Sequence, residues 1–131
     1  MARNISFALT TPQFIARTKT VTRRMGWRAA VAGQMLCGVK KGMGLRPGEK
    51  IERLGMIRVV KVTTEPLRRL TDDLNYGFAE TTHEGFPEGH PLHWPSAFVD
   101  FFCRSHKGCT PDSMITRIEY EYATDTPTDP G

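Results

Sequence analysis

The strongest constraint on the fold of this chain is a regular alternation of apolar and polar residues near its end. Ile118, Tyr120 and Tyr122 are separated by single glutamates. Successive side chains of a strand point to opposite faces of a sheet, so the pattern predicts a strand over residues 114–122 with one face in a core. A lone strand is not stable in water, and the rest of the chain must supply its partners.

Three other segments have the composition of strands. A β-branched run over residues 51–62 and an apolar run over residues 35–39 predict two of them, and residues 4–9 predict a short first strand. Turn-forming residues separate these segments, as the Pro47-Gly48 pair does before the longest one. The four predicted strands are enough for one small sheet.

Short helices are predicted between the strands. One begins at Thr11-Pro12, because threonine can cap a helix and proline suits its first position. A second helix follows Pro66, which ends the preceding strand. Its apolar face would hold three leucines: Leu67, Leu70 and Leu74.

A stripe of phenylalanines predicts the last helix, which opens at Pro95. Phe98, Phe101 and Phe102 fall at i, i+3 and i+4, the spacing of a core-facing surface. The order of elements predicts an α+β domain: a small, mostly antiparallel β-barrel decorated by short helices. We expect one core with contributions from Ile57, Val59 or Val60, Ile118, Tyr120 and Phe98.

The chain is long enough for one domain and has a tail of different composition. Its 131 residues fit a single unit that buries a core without covalent crosslinks. Residues 123–131 are rich in Thr, Asp and Pro, a composition typical of disorder. We therefore predict one domain over residues 1–122 and a disordered tail over residues 123–131.

The sequence lacks the features of a membrane or secreted protein. No apolar run approaches the ~18 residues of a membrane span. Residues 1–10 carry Arg3 and no long apolar stretch before a cleavage site. Three cysteines, an odd number, argue against a disulfide framework in such a chain. We expect a cytoplasmic monomer without a membrane partner.

Charge is unevenly distributed along the chain. Residues 17–69 hold 14 Lys and Arg against three Glu, whereas residues 70–131 hold three basic residues against 11 acids. A basic first half could carry a phosphate-binding face. Alternatively, folding interleaves the two halves and their charges neutralise each other. The sequence does not decide between these two interpretations.

The segment richest in chemistry is Lys19-Thr20-Val21-Thr22-Arg23-Arg24, which follows the first helix. Three cations and two hydroxyls lie within these six residues. In an extended chain, Lys19 and Arg23 would share one face with Val21, and the threonines would share the other with Arg24. A lysine beside two arginines in a cleft has a depressed pKa and becomes a usable base. A threonine hydroxyl becomes a nucleophile once a base takes its proton.

This segment resembles the lysine-threonine-x-threonine-arginine signature of the ASCH family, a group related to the PUA domains. Further segments that resemble this family follow in the expected order: Gly33, residues 45–50, Glu84-Gly85-Phe86, Phe98-Val99 and residues 116–120. The resemblance covers residues 4–122 and is greatest to the small phage- and prophage-type members.

The resemblance implies a PUA-like barrel whose basic cleft holds RNA or a modified pyrimidine nucleoside. Some small bacterial members are amidohydrolases that remove the acetyl group from N(4)-acetylcytidine with a lysine, a threonine and a glutamate. These catalytic residues correspond here to Lys19, Thr22 and Glu84. Glu80 is a second candidate for the carboxylate, because the stretch from Thr71 to Glu84 is longer here than in those members.

Three functions remain open at this level. A non-catalytic RNA-binding module would have an open groove that continues along the basic surface. An amidohydrolase would gather Lys19, Thr22 and Glu84 around a closed pocket. A ribonuclease, an activity ascribed to at least one family member, would need an acid and a base near a phosphate. His83 is the histidine nearest in sequence to the two candidate glutamates.

Further residues around the catalytic candidates are expected to contact the ligand. They are Thr20, Arg23, Arg24, Trp27 and Glu80. The planar donor fork of arginine suits a sugar or a phosphate. Trp27 lies among arginines, where its ring could stack on a base, with core packing as the alternative role.

Cys103, His106 and Cys109 form a Cys-x2-His-x2-Cys pattern that could bind zinc. The pattern lacks the paired Cys-x2-Cys of a strong zinc signal, and Cys103 adjoins the phenylalanine stripe. We therefore predict free cysteines packed into the protein here. Neither a metal nor a cofactor is expected.

Overall fold

The computed structural model describes residues 2–42 and 45–123. The tail predicted over residues 123–131 lies outside this part of the chain except for Ala123. No helix of the described residues is long and apolar enough to cross a membrane.

Five strands form one curled sheet that makes a half-barrel. The strands are β1 (Arg3–Ser6), β2 (Val21–Arg24), β3 (Met35–Val39), β4 (Arg53–Pro66) and β5 (Met114–Tyr122). Their order across the sheet is β1-β3-β4-β5-β2, and β1 pairs with β3 in parallel while the other pairs are antiparallel. The α+β class and the mostly antiparallel sheet predicted from the sequence are confirmed.

The 14-residue strand β4 organises the sheet, because it pairs with both β3 and β5. Its register to β5 shifts between Val59 and Lys61, so Val60 is an extra residue that turns toward solvent. A bulge of this kind bends a strand and increases its twist, which curls the sheet. The bulge also settles the alternative left open by the sequence: Val59 is buried in the core and Val60 is 44% exposed.

Within the described residues, four α-helices and one short 3-10 helix cover the sheet. They are α1 (Thr11–Ile15), α2 (Arg69–Asp72), α3 (Leu74–His83), the 3-10 turn Pro91–His93 and α4 (Pro95–Ser105). The sequence predicts one helix after Pro66, but the chain breaks there into α2 and α3 at Asp73. The Asp73 side chain accepts a hydrogen bond from the backbone N–H of Tyr76 at 3.2 Å and caps α3. Leu74 is consequently exposed, and the expectation that it shares a buried face with Leu67 and Leu70 is wrong.

Two apolar clusters, rather than the single core expected, hold the domain together. The sheet and α1 enclose the first, and α2, α4 and the beginning of β5 enclose the second. The first cluster contains Ile5, Phe7, Phe14, Ala30, Leu36, Ile57, Val59, Ile118 and Tyr120. The second contains Leu67, Leu70, Phe86, Phe98, Val99, Phe102 and Ile115. Phe98 therefore belongs with the helices and not with the sheet core.

Folding interleaves the basic and acidic halves of the chain at many points. Arg58 of β4 binds Glu121 of β5 at 2.9 Å, and Arg68 binds Asp72 and Asp112. These exposed pairs contribute little to stability. They show that the neutralising interpretation of the charge pattern describes much of the surface.

The phenylalanine stripe generates a stability prediction. Phe102 is buried in the second cluster, whereas Phe101 is only half-buried. Phe102→Ala is expected to lower the free energy of unfolding by about 3–5 kcal/mol, since it removes buried surface and leaves a cavity. Phe101→Ala is expected to cost clearly less. Urea denaturation of both variants checks this, and equal losses would show that Phe101 belongs to the core.

Candidate functional site

Strand β2 and the two residues before it place the signature segment at the edge of the sheet. β2 pairs with β5, and Val21, Thr22 and Arg23 are all buried. Side chains on the two faces of the strand find different partners. Lys19 and Arg23 both bind Glu84, while Arg24 Nε donates to Thr22 Oγ1 at 2.9 Å. This division of faces agrees with the alternation predicted from the sequence.

Three carboxylates surround the guanidinium of Arg23, whose side chain is completely buried. Arg23 Nη2 lies 3.1 Å from Glu65 Oε2 and 2.5 Å from Glu80 Oε1, and Nη1 lies 2.9 Å from Glu84 Oε2. Glu65 comes from β4, whereas Glu80 and Glu84 stand one turn apart on α3 and its C-cap. Burial lowers the pKa of Arg23, but the three carboxylates outweigh it and raise the pKa above its ordinary value. Arg23 is therefore a permanent cation.

Glu80 joins two arginines that face each other across neighbouring strands. Arg23 of β2 pairs in register with Arg117 of β5, an arrangement of like charges that is unfavourable by itself. Arg117 donates to both oxygens of Glu80, at 2.5 and 3.1 Å, and Glu80 also binds Arg23. Burial raises the pKa of Glu80, but Arg117 and Arg23 outweigh it and lower the pKa to about 2. Glu80 is thus committed to structural ion pairs.

Lys19 and Glu84 form a buried ion pair beside Arg23. Lys19 Nζ lies 2.6 Å from Glu84 Oε1 and 3.0 Å from the backbone carbonyl oxygen of Glu84, and both side chains are buried. Burial lowers the pKa of Lys19, and Glu84 raises it only in part, so the pKa stays below the ordinary value for lysine. A lysine in this state can release and take up a proton more readily than one on the surface.

Gly85 allows Glu84 to approach Lys19 so closely. Its φ of +103° lies in the region that favours glycine. A Cβ at this position would stand 2.7 Å from Gln13 Cγ and 3.4 Å from Lys19 Cβ. The Glu84-Gly85-Phe86 segment is therefore built for a tight approach of α3 to the signature segment.

The signature residues open onto a cavity of about 240 Å³ between the two apolar clusters. Polar side chains of the signature segment and the C-cap of α3 line it: Lys19, Thr22, Arg23, Arg24 and Glu84. A set of rings, here called the aromatic wall, lines it as well: Phe86, Phe98, Phe101, Phe102 and His106. The loop after β1 completes the cavity with Ser6, Phe7, Ala8, Leu9 and Thr10. Apolar walls with a few convergent polar groups are typical of small-molecule sites.

Three of the predicted ligand-contacting residues do not line this cavity: Thr20, Trp27 and Glu80. The backbone of Thr20 binds His83 and Tyr120, and Glu80 stands behind the cavity wall. Trp27 packs against the first apolar cluster, with the Arg3 guanidinium 3.9 Å from its ring centroid. These contacts agree with core packing, the alternative to base stacking that the sequence left open for Trp27.

Several contacts around the site were not identified from the sequence. Tyr76 and Arg69 bind Glu65, with Tyr76 Oη 2.8 Å from Glu65 Oε1. Phe7 and Thr10 line the cavity although they lie before the signature segment. The usable signal was Glu65, a carboxylate inside a β-branched strand whose burial requires a cation nearby.

The cysteine and histidine pattern lies at the end of α4 beside the cavity. Cys103 and Cys109 are half-buried free thiols with their Sγ atoms 3.5 Å apart. The His106 ring stacks on Phe102, and its Nδ1 lies 2.8 Å from the Phe102 carbonyl oxygen. Within residues 2–42 and 45–123, no group of three or more metal-binding side chains converges on a common point. His106 instead contributes to the aromatic wall.

The Glu80 ion pairs generate a prediction about acid stability. The pKa of Glu80 is about 2 in the folded protein and about 4.3 in an unfolded chain. Its stabilising contribution is therefore complete above about pH 4.3 and disappears as the pH falls toward 2. We expect Glu80→Gln to lower the free energy of unfolding at neutral pH by about 3 kcal/mol and to flatten its fall in acid. Urea titrations from about pH 7 to about pH 2.5 measure both effects.

The exposed Glu88 provides the matched control for this experiment. Glu88→Gln removes the same charge without touching an ion pair, and its stability profile should follow that of the parent protein. A Glu80→Gln profile parallel to that of the parent would exclude Glu80 as a source of the acid sensitivity.

Two solved structures share the fold of this chain. An ASCH domain from Lactobacillus crispatus JV V101 matches it with a TM-score of 0.55 at 12% sequence identity, covering 92% of this chain and 79% of that domain. Protein EF3133 from Enterococcus faecalis V583, of family DUF984, matches with a TM-score of 0.52 at 17% identity, covering 83% of this chain. This chain spans 63% of the length of the Enterococcus protein.

No protein-family model and no curated protein matches the sequence. Identities of 12% and 17% establish a common architecture and no more, so a phage type remains a prediction. The curled five-stranded sheet, the covering helices and the two structural neighbours agree with one another. The chain has the PUA-like fold of an ASCH domain.

Proposed function

We propose that this protein binds a pyrimidine nucleoside, free or as part of RNA, in the cavity beside Lys19. One observation carries the proposal: Lys19, Thr22 and Glu84 line a single cavity together with several aromatic rings. Its volume of about 240 Å³ is below the range usual for drug-sized ligands and suits one small ring system with its sugar. An extended groove for a long strand would have a different shape.

The lining supports a division of roles between its rings and its polar groups. Phe101 is half-buried and borders the cavity with Phe86 and His106, so that a base can stack on this wall. Lys19, Thr22 and Arg24 line the same cavity and offer donors to the polar edge of a base, a sugar or a phosphate. The half-buried ring of Phe101 therefore replaces Trp27 as the candidate for stacking on a base.

A second candidate function is hydrolysis of an acyl amide on such a ligand, as in the deacetylation of N(4)-acetylcytidine. The lowered pKa of Lys19 and its contact with Glu84 favour it. Thr22 Oγ1 accepts a hydrogen bond from Arg24, which leaves the hydroxyl hydrogen available to a base. In this reaction Thr22, or a water that it positions, attacks the acyl carbon. The amide bond breaks, and water supplies the atoms that release a carboxylic acid and the free amine.

The roles of the other two residues follow from their contacts. Lys19 takes the proton of the attacking hydroxyl and passes it to the leaving amine, for which it must begin in the neutral form. Glu84 holds Lys19 in place by two contacts, one from its carboxylate and one from its backbone. Glu80, whose carboxylate is occupied by two arginines, is not available for this role.

The first test measures deacetylation with near-isosteric variants. The protein is incubated with N(4)-acetylcytidine and the release of cytidine is followed. Lys19→Met, Thr22→Val and Glu84→Gln are each expected to reduce turnover by about 100-fold or more, the usual contribution of acid–base and nucleophilic groups. Melting temperatures establish that each variant is folded.

Matched controls are available on the surface. Lys61, Thr18 and Glu88 are exposed and lie outside the cavity, so Lys61→Met, Thr18→Val and Glu88→Gln should retain activity. An inactive parent protein that still binds cytidine would eliminate the hydrolase and leave the binding function. Cleavage of an RNA incubated with the protein under the same conditions would indicate a ribonuclease. Absence of both binding and turnover would refute the proposed function.

The pH dependence of turnover tests the role of Lys19 separately. A general base works in its deprotonated form, so kcat should rise with pH and level off above the pKa of Lys19. Because burial holds this pKa below the ordinary value for lysine, the plateau should begin at a lower pH than for a surface lysine. A rate that falls as the pH rises would contradict a lysine base.

A further inference from the structure

Arg24 differs from every other cation of the site in its partners. Lys19, Arg23 and Arg117 each bind a carboxylate at 3.2 Å or less. The guanidinium of Arg24 contacts none of the carboxylates in residues 2–42 and 45–123 within ion-pair distance, and its Nε donates to the neutral hydroxyl of Thr22. Its two Nη groups have no acceptor in that part of the chain. Arg24 nevertheless lines the cavity.

The surroundings of Arg24 do not compensate its charge. Its guanidinium carbon lies 5.0 Å from the centroid of the Phe7 ring, a cation–π contact of modest strength. Burial lowers the pKa of Arg24 to about 10, because Glu84 and Tyr120 raise it only in part. Arg24 is only partly exposed, and a cation that is largely withdrawn from water without a close anion is costly for a folded protein. Such an arrangement is retained where a ligand supplies the missing charge.

We infer that the ligand of this cavity carries a phosphate group, which binds the Nη groups of Arg24. The inference rests on the proposed function and specifies it: the favoured ligand is a pyrimidine nucleotide rather than a neutral nucleoside. Arginine presents two parallel N–H donors in a geometry that matches phosphate oxygens. The hydroxyls of Ser6 and Thr10 line the same cavity and add neutral donors to this region.

A second pocket, whose lining includes three lysines and the two glutamates Glu49 and Glu52, is the place where further phosphates of RNA would bind under this inference. Ala8 lines both cavities, and the second one, of about 210 Å³, is bordered by Lys40, Lys41 and Lys50. Lys41 makes only a long, exposed contact to Glu49 at 3.7 Å. The phosphate at Arg24 therefore has two sources, a mononucleotide or a phosphodiester within RNA, and both present the same chemistry to the guanidinium.

The experiment compares cytidine, cytidine 5′-monophosphate and a short cytidine-containing RNA by calorimetric titration at one salt concentration. The parent protein should bind the monophosphate at least about 10-fold more tightly than cytidine, as expected for a charge-assisted pair of hydrogen bonds. Arg24→Gln should abolish this preference, so that this variant binds cytidine and cytidine 5′-monophosphate with similar affinity. Arg24→Lys keeps the charge but loses the fork, and should retain only part of the preference.

Arg28→Gln is the matched control. Arg28 is exposed and lies outside the cavity, and its substitution removes the same charge as Arg24→Gln does. The Arg28 variant should keep the full preference for phosphate. The parent protein is also compared with a Lys40→Gln, Lys41→Gln double variant. If the parent binds RNA more tightly than the monophosphate and the double variant does not, the phosphate at Arg24 belongs to an RNA backbone. If the double variant still binds cytidine 5′-monophosphate more tightly than cytidine, the phosphate nearest the nucleoside is the one that binds Arg24.

The outcomes separate this inference from the function on which it rests. Equal affinities of the parent protein for cytidine and its monophosphate would overturn the inference and leave nucleoside binding intact. A preference that survives in Arg24→Gln would also overturn it, since another group would then bind the phosphate. No binding of cytidine, nucleotide or RNA would refute the proposed function and the inference together. Melting temperatures show whether Arg24→Gln is folded, and removal of an uncompensated cation should not lower them.

Discussion

The architecture depends on the ion pairs that neutralise one buried arginine. Arg23 cannot be solvated, and a guanidinium in that position is tolerated only because carboxylates from β4 and α3 surround it. The buried residues of α3 are Gly77, Glu80 and Thr81, and its Tyr76 ring packs only partly buried against the second apolar cluster. Charge and close backbone approach therefore position α3, and they tie the edge strand β2 to the middle of the sheet.

The same ion pairs connect stability with chemistry. Glu84 binds Arg23 through one oxygen and Lys19 through the other, so the orientation of the catalytic candidate is set by the structural cation. A substitution of Arg23 would therefore disturb the orientation of Lys19 indirectly, through Glu84. The site is rigid for this reason, and a rigid arrangement of donors is what a small cavity needs to distinguish ligands.

The sequence was most informative where local pattern decides the structure. Strict alternation located β5, and β3 was found with its observed limits, because strand patterns depend on neighbouring residues. The signature segment indicated Lys19, Thr22 and Glu84, which the structure brings to one cavity. The sequence could not show that Glu80 is engaged by Arg117, because that contact depends on the register between strands distant in the chain. It also missed the break at Asp73, where a side-chain cap overrides the leucine pattern.

The cavity lies where the two apolar clusters meet, and this position has a consequence for the protein as a whole. Phe7 belongs to the cluster under the sheet, whereas Phe86, Phe98 and Phe102 belong to the cluster under the helices, and all four border this cavity. A ligand in the cavity would make dispersion contacts with both halves. A bound base would supply these contacts and become part of the core. The ligand-free domain is then expected to open most readily along this seam, and occupancy would make the two halves unfold as one cooperative unit.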